Sequence, residues 1–443
     1  MVTKQTEKLN IMTTTKYLDP EGMLKMVDGY LKTAGSSLQL KSTSKYLQLI
    51  AKNIENAIHA HDRGRKYAVH STQFPNEFFI PMGIDPLFNE MYTTVVNMFS
   101  DDNQAFMNIA DGMGFPCYNC SYYRCFYGMI EAGAWPKPDM VCYSSTPCDQ
   151  TPKGQEGAAR AMGVPSFGMD RPYKLFTPQA QAYWRKEHEG LIQFLEQHTG
   201  KKMDYDHLKE VARLSYAATK LYIEINELRA AIPTPLGAEA AFAAMAAYRA
   251  WVGYPELVTF LTEFRDELKE RMAKGLGAIP EERFRYACYS SLPFFDLGVL
   301  GLIEQRFKAV NVMDMLQWWR EDADWLIDPD DPVGSLAYRV SFHPANLLHG
   351  TMADLAEEVR QMVIRTKPDC MIFFNTLSCR HERGGLQIAK DIVEREFGIP
   401  WATVDVDVLD KTFTTKEKIA DQLEGFFETV EDSRPYRERR RAI

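Results

Sequence analysis

The chain has 443 residues, of which 45% are hydrophobic and 25% are charged, and its formal net charge is −9. This composition is typical of a globular protein, and the length predicts two or three domains. The negative charge argues against a nucleic-acid partner, no apolar run approaches the roughly 20 residues of a membrane span, and the polar N-terminus predicts a cytoplasmic protein that does not bind membranes.

The first third of the chain predicts an arm followed by an α/β domain. Residues 1–44 are polar and mixed, and we expect an N-terminal arm there. Over 45–173, a helical pattern at 44–63 comes first, and 84–90 has the turn residues that open a helix. Short apolar runs typical of buried strands lie at 66–70, 140–144 and 165–170.

The middle of the chain, 174–279, lacks strand patterns and predicts a helical segment. Helical periodicity covers 178–198, 204–231, 237–250 and 255–274. After residue 280 the alternation of strands and helices returns, which predicts a second α/β domain over 280–430. Its strand-like runs lie at 284–288, 309–313, 370–374 and 401–405. The end, 431–443, is a basic tail that we expect to be solvated.

The two α/β halves carry the same motifs in the same order. Each half has Lys-Pro-Asp before a strand, a cysteine nine or ten residues after the aspartate, and Gly-x-Pro before the next strand. These are Lys137-Pro138-Asp139, Cys148 and Gly163-Val164-Pro165, then Lys367-Pro368-Asp369, Cys379 and Gly398-Ile399-Pro400. Upstream, 66–71 aligns with 285–290 without a gap. We therefore predict an α/β fold with two parallel-sheet domains related by an internal repeat.

Cysteines are concentrated in one stretch: five of the eight lie in the 32 residues from Cys117 to Cys148. Cys148 and Cys379 each follow a predicted strand, where open α/β sheets bind ligands, and Cys120 could supply a third thiolate. Three thiolates with one open position suit an iron–sulfur cluster. A zinc site and a redox-active dithiol at Cys117 and Cys120 are the alternatives, and the spacing alone does not choose among the three.

The motifs resemble those of the 2-hydroxyacyl-CoA dehydratase / benzoyl-CoA reductase family over roughly 45–430. The resemblance is carried by Cys120-Ser-Tyr-Tyr-Arg-Cys-Phe-Tyr-Gly128, the two Lys-Pro-Asp triplets, Pro-Cys148-Asp, Ser-Cys379-Arg and Gly-Ile-Pro. It implies two Rossmann-like domains around a [4Fe–4S] cluster held by Cys120, Cys148 and Cys379. It also implies a related cluster-bearing subunit, an ATP-hydrolysing iron–sulfur activator and an acyl-CoA substrate.

Within this family, the length and the central helical segment favour the larger cluster-bearing subunit of an ATP-dependent benzoyl-CoA reductase. A 2-hydroxyacyl-CoA dehydratase subunit, which eliminates water, is the alternative, and a non-catalytic cluster-carrying protein is the second alternative. The family pattern does not include Cys117 and Cys125. They indicate either a larger cluster or, as we expect, thiols packed in the ordinary way.

Either reaction requires a proton-transfer group near the substrate. His70, Ser71 and Glu77 follow the first predicted strand, where a cleft residue is expected, and they are our candidates for catalysis. A structural, hydrogen-bonded His70 is the alternative. We expect His381 to be exposed, and His343 and His349 lie in a loop that either lines the cleft or forms a surface turn.

Overall fold

A computed structural model describes residues 20–34, 40–99, 103–174, 176–319, 328–341 and 350–442. The predicted class is confirmed: the chain forms two four-stranded parallel sheets surrounded by helices. The first half contains helices and strands in this order: α1 (Pro20–Ala34), α2 (Thr43–Ile58), β1 (Lys66–His70), α3 (Phe79–Met82), β2 (Ile84–Phe88), α4 (Asn89–Phe99), α5 (Asn103–Gly112), α6 (Ser121–Glu131), β3 (Met140–Ser144), α7 (Gln150–Met162) and β4 (Ser166–Met169).

Four long helices then follow, and their prediction from periodicity is confirmed: α8 (Pro178–Thr199), α9 (Tyr205–Leu228), α10 (Ala238–Trp251) and α11 (Pro255–Ala273). The second half contains β5 (Phe284–Cys288), α12 (Gly298–Phe307), β6 (Ala309–Asp314), α13 (Pro332–Ser341), α14 (Met352–Thr366), β7 (Cys370–Thr376), α15 (Arg380–Gly384), α16 (Leu386–Asp391), a π-helical turn (Ile392–Glu396), β8 (Trp401–Val406), α17 (Lys416–Asp432) and α18 (Arg434–Ala442). No helix within the described ranges is long and apolar enough to cross a membrane.

Both sheets have the same topology, and their inner strands are buried on both faces. The strand orders are β2-β1-β3-β4 and β6-β5-β7-β8. In β1, Tyr67 and Val69 face one hydrophobic cluster and Ala68 faces another on the opposite side of the sheet. In β5, Tyr286 faces one cluster and Ala287 faces another. Helices therefore cover both faces of each sheet, and the carboxyl edge of the strands is the edge left for a ligand site.

The internal repeat has a structural basis in the two Lys-Pro-Asp aspartates. The backbone N–H of Tyr67 in β1 donates to Asp139 over 2.9 Å, and the N–H of Arg285 in β5 donates to Asp369 over 2.8 Å. Each carboxylate thus ties the start of the central strand to the strand beside it. The gap-free sequence alignment is wrong by one residue here, because it pairs Tyr67 with Tyr286 instead of Arg285.

At the other end of these strands the alignment is right. Ser71 accepts a hydrogen bond from the N–H of Ser144 over 3.3 Å, and Ser290 accepts one from the N–H of Phe374 over 2.9 Å. Between its two hydrogen-bonded positions, the segment that contains β5 therefore has one more residue than the segment that contains β1.

One prediction is incomplete: a helix, α4, does begin within 84–90, but residues 84–88 first form the strand β2, which was not predicted. Its polar and proline residues obscured the strand pattern. Pro86 is tolerated because β2 lies at the sheet edge and pairs only with β1. Asp85 is buried yet paired with Arg63 and Arg65 over 2.9 and 3.0 Å, which offsets its desolvation.

The expected solvated tail is in part a structural helix. Within α18, Arg439 donates through Nε and Nη2 to the two oxygens of Asp369, both over 2.6 Å. The arginine side chain is only 11% exposed and the aspartate 2%. The tail therefore supports the same aspartate that caps β5.

Candidate functional site

Cys120, Cys148 and Cys379 line one cavity of about 140 Å³. Cys148 follows β3 and Cys379 follows β7, so these two thiols lie past the carboxyl ends of equivalent strands. Cys120 directly precedes α6. The two halves of the molecule therefore meet at a single site to which both contribute thiols.

All three thiols lie at or just before the start of a helix, near its first-turn backbone N–H groups. The N–H groups of Tyr122 and Tyr123 act to lower the pKa of Cys120. Those of Gln150 and Thr151 act in the same direction on the pKa of Cys148, and that of Glu382 does so on the pKa of Cys379. N–H groups at a helix start stabilise negative charge, so the arrangement favours thiolates or an anionic group bound by them.

Burial, in contrast, disfavours the thiolate form. It raises the pKa of all three thiols, and the proximity of the thiols to one another raises the pKa of Cys120 and Cys379 further. Three buried thiolates without a cation would repel one another at a high cost in free energy. A positively charged metal centre would remove that cost.

The donor set fits an iron–sulfur cluster. Thiolate sulfurs are the usual ligands of such clusters, and helix N–H groups directed at sulfur are a common feature of their surroundings. Among the described residues, no three His, Cys, Asp or Glu side chains come close enough to hold a single metal ion. A cluster of several irons requires its thiolates to be spread around a larger volume, as these three are around their cavity.

Glu90, which the sequence did not indicate, has a half-buried carboxyl group in the same cavity. Glu90 lies in the first turn of α4, which follows β2 directly, so it too lies past the carboxyl end of a strand. Its Oε2 accepts from the N–H of Thr72 over 3.1 Å, and Thr72 Oγ1 accepts from Arg249 over 2.7 Å. Burial raises the pKa of Glu90 to about 7. Glu90 was not a candidate in the sequence because β2, the strand that precedes it, was not predicted.

Glu382, another missed residue, faces the cavity from α15. Its Oε1 accepts from the N–H of Ser291 over 3.0 Å, and burial raises its pKa to about 7. His381 beside it is half-buried and also lines the cavity, so its predicted exposure is wrong. The rest of the wall is mainly apolar and aromatic: Phe88, Met91, Tyr122, Tyr123, Phe242, Met245, Phe294 and Leu316.

None of the three candidates for catalysis is among the residues that line this cavity. His70 lines a neighbouring space of about 30 Å³, and its ring stacks on Phe88 at 5.6 Å between centroids. Its Nδ1 lies 3.0 Å from the carbonyl oxygen of Ser71, and burial lowers its pKa to about 4. His70 is therefore neutral at pH 7.

Ser71 and Glu77 make structural contacts. The Ser71 hydroxyl is fully buried and accepts the N–H of Ser144. Glu77 is also buried, accepts from the Ser215 hydroxyl over 2.8 Å and forms an ion pair with Arg339. The two contacts of Glu77 connect the loop after β1 to α9 and α13.

The additional thiols differ from each other. Cys117 is exposed, whereas Cys125 is fully buried in a hydrophobic cluster with its sulfur 3.9 Å from the carbonyl oxygen of Asn103. Neither lines the cavity of the three cysteines. His343 and His349 lie outside the described residues.

Comparison with known proteins gives matches over most of the chain. A family model described as "2-hydroxyglutaryl-CoA dehydratase, D-component" matches residues 71–430. The chain is 26% identical over 387 residues to the α subunit of (R)-phenyllactyl-CoA dehydratase from Clostridium sporogenes, covering 84% of this chain and 92% of that protein.

Two further relatives have comparable similarity. One of the subunits of benzoyl-CoA reductase from Thauera aromatica is 23% identical over 437 residues, with 91% of this chain and 98% of that protein covered. The (R)-2-hydroxyisocaproyl-CoA dehydratase α subunit from Clostridioides difficile is 23% identical over 406 residues, with 87% and 95% covered. All three relatives are named as subunits.

Proposed function

The chain belongs to the 2-hydroxyacyl-CoA dehydratase / benzoyl-CoA reductase family, and from this premise we propose that it is the [4Fe–4S]-bearing subunit of an enzyme acting on an acyl-CoA thioester. One observation carries the proposal: Cys120, Cys148, Cys379 and the half-buried carboxyl group of Glu90 line a single cavity at the carboxyl edge of the strands. The cavity brings together metal ligands, a proton-transfer group and apolar walls.

In this proposal each cavity residue has a defined task. The three thiolates hold the cluster, and the first-turn N–H groups of α6, α7 and α15 stabilise its negative charge. When bound, the cluster would supply a low-potential electron and a Lewis-acidic iron to the thioester carbonyl. The apolar wall excludes water, which strengthens every charge interaction at the site.

Glu90 exchanges a proton with the substrate. A carboxyl group with a pKa near 7 can both accept and donate a proton at neutral pH. The Thr72 N–H fixes the position of its Oε2, and Arg249 fixes Thr72 in turn. Glu90 replaces His70 as our candidate for proton transfer, because His70 does not line the cavity and is neutral at pH 7.

Two reactions remain candidates. The match along nearly the whole length of the Thauera aromatica benzoyl-CoA reductase chain supports dearomatising ring reduction, the function that we expected from length. The second candidate is elimination of water from a 2-hydroxyacyl-CoA, which is supported by the dehydratase α subunits among the relatives. We propose ring reduction first, because that match covers the larger share of both chains.

We further propose two protein partners. The relatives are subunits of larger enzymes, which supports a stable complex with a related cluster-bearing subunit. An electron donor of very low potential is also needed, and an ATP-hydrolysing iron–sulfur activator suits this role.

Anaerobic co-purification tests the whole proposal. The complex should contain about four irons and four sulfides in this chain, as one cubane requires. Supplied with activator, ATP and reductant, it should consume benzoyl-CoA or, in the dehydration form, (R)-phenyllactyl-CoA. A protein that holds a full cluster but binds neither thioester would instead be the non-catalytic cluster carrier.

A further inference from the structure

A second, wider cavity of about 680 Å³ adjoins the cavity of the three cysteines. Its walls are formed by α1, α2, α4 and α10, by the loop that precedes α12, and by the segment around the start of α17. This volume lies within the range of about 300–1,000 Å³ found for small-molecule sites. The space is therefore large enough for a substantial part of an organic ligand.

The two cavities share part of their lining. Met91, Thr94, Phe242, Ala246 and Phe294 line both. We call these five residues the boundary. No boundary residue is charged, and its one hydroxyl group, on Thr94, already donates to the Glu90 carbonyl oxygen over 2.7 Å. A ligand group that crosses or occupies the boundary meets apolar surface.

The wide cavity changes character along its length. Its inner walls carry buried apolar side chains, among them Val27, Ile50 and Phe295. Its outer end carries the polar side chains, including exposed Thr415 and Glu417 and the Lys416–Asp296 pair at 3.8 Å. The end that carries Thr415 and Glu417 is therefore open to solvent, whereas the boundary residues are uncharged and mainly apolar.

We infer that the wide cavity binds the acyl group of the thioester, and that this group is bulky, apolar and uncharged. The inference rests on the proposed function, which places the thioester carbonyl beside the three cysteines. A cavity of about 140 Å³ has no room for a cluster and a large acyl group together, so the acyl group must extend across the boundary. A carboxylate at the boundary would lose its hydration among five uncharged side chains, which is costly.

Ala246 and Phe242 determine which acyl groups fit. They lie one helical turn apart on α10, so their side chains are neighbours on one face of the helix. Ala246 contributes only a methyl group to the boundary. A phenylalanine at this position would add bulk at the boundary without adding charge.

The test measures binding by calorimetry on the anaerobic holo-complex, with no turnover. The probes are 3-phenylpropanoyl-CoA, which has no hydroxyl group to expel, together with glutaryl-CoA and acetyl-CoA. The parent complex should bind 3-phenylpropanoyl-CoA about tenfold or more tightly than glutaryl-CoA, because only glutaryl-CoA brings a carboxylate to the apolar wall. Equal or tighter binding of glutaryl-CoA would overturn the inference.

The variants locate the acyl group. Ala246→Phe should weaken 3-phenylpropanoyl-CoA about tenfold or more and leave acetyl-CoA within about twofold, while Ala246→Gly adds no bulk and keeps both affinities. If Ala246→Phe does not fold, Phe242→Ala should still weaken only the bulky probe, because it removes apolar contacts. Equal weakening of both thioesters would place the pantetheine arm in the wide cavity and overturn the inference. If the parent complex binds no thioester at all, the proposed function itself is wrong.

Discussion

At the residue scale, the three cavity cysteines are distinguished by the position of their sulfur atoms. Cys125, Cys142, Cys288 and Cys370 are buried in the cores, and Cys117 is exposed. Only Cys120, Cys148 and Cys379 combine a helix start with a common cavity. Thiolate ligation requires both features, because the sulfur must be stabilised as an anion and must face the metal.

Replacing any one of the three by alanine should therefore remove the cluster. We expect iron to fall from about four atoms per chain to less than one in Cys120→Ala, Cys148→Ala and Cys379→Ala. Iron and sulfide analysis with EPR spectroscopy of anaerobic protein measures this loss. The control is Cys117→Ser, which changes a thiol only three residues from Cys120 and should keep all four irons. A full cluster in the Cys379→Ala variant would disprove the proposed site.

Glu90 should determine the pH dependence of turnover. Burial raises its pKa from 4.5 to about 7, so the carboxylate form that accepts a proton predominates only above that pH. We expect kcat of the parent enzyme to rise between about pH 6 and 8, and Glu90→Gln to lose this rise together with about a hundredfold or more of the rate. The exposed Glu131→Gln on α6 is the control and should keep the parent profile.

The raised pKa of Glu90 also makes the folded state less stable as the pH rises, whereas the rate is expected to increase. The folded state holds the Glu90 proton more tightly than the unfolded chain does, so the stability contribution of this group is present below about pH 4.5 and is lost as the pH rises through 7. Glu90→Gln should lack this loss. Denaturant titrations of both proteins at pH 5 and at about pH 8 measure it, and an identical pH dependence would contradict the raised pKa.

At the element scale, a helix or strand is predicted correctly when its own residues follow one regular hydrophobic pattern. The helices α8 to α11 follow a strict helical period, and β1, β3, β5 and β7 are short apolar runs, so their prediction is confirmed. β2 was missed because Asp85 and Pro86 break its apolar pattern, and only its edge position and ion pairs make them acceptable. Such tertiary compensation is not visible in a local sequence window.

The C-terminal helix gives the clearest test at this scale. Arg439→Gln would leave Asp369 buried without its cation, and we expect a loss of about 2–4 kcal/mol in the free energy of unfolding. The matched change is Arg437→Gln two residues earlier. That arginine pairs with the exposed Asp432, and its loss should cost less than about 0.5 kcal/mol. Urea unfolding followed by circular dichroism measures both, and equal effects would show that α18 is only a solvated tail.

Glu77, which we first expected to take part in catalysis, has structural contacts in the fold. Its ion pair with Arg339 joins the loop after β1 to α13 in a fully buried setting. Glu77→Gln should lower the free energy of unfolding by about 2–4 kcal/mol, because Arg339 keeps a buried charge without a counter-ion. The double variant Glu77→Gln, Arg339→Met, which removes both charges, should recover part of that loss. No recovery would show that the pair is not coupled.

At the scale of the whole molecule, the repeat made the site predictable. Cys148 and Cys379 occupy equivalent positions after β3 and β7, and this equivalence was visible in the order of motifs alone. Cys120 and Glu90 have no such counterpart in the sequence pattern; the first was proposed as a third thiolate from its place in the cysteine-rich stretch, and the second was found only through the structure. The predicted domain limits, 45–173 and 280–430, stay predictions.

Removing the cluster should loosen the site without unfolding either half. The cluster would join α6 and α7 of the first half to α15 of the second, but protein bonds also cross there. Asn97 donates to the Phe294 carbonyl oxygen over 2.8 Å, and the Leu409 N–H donates to the Ser121 hydroxyl over 3.2 Å. Each sheet also keeps its own hydrophobic clusters.

After oxidation and chelation, we therefore expect an unchanged far-ultraviolet circular dichroism spectrum and a lower thermal midpoint, because a group that binds only the native state stabilises it. Hydrogen exchange should accelerate at the starts of α6, α7 and α15, where backbone N–H groups lose the anionic cluster that they stabilise. The centres of β1 and β5, which lie deep in the two sheets, should stay protected and serve as the internal control. Loss of protection throughout both sheets would mean that the fold, and not only the site, depends on the metal.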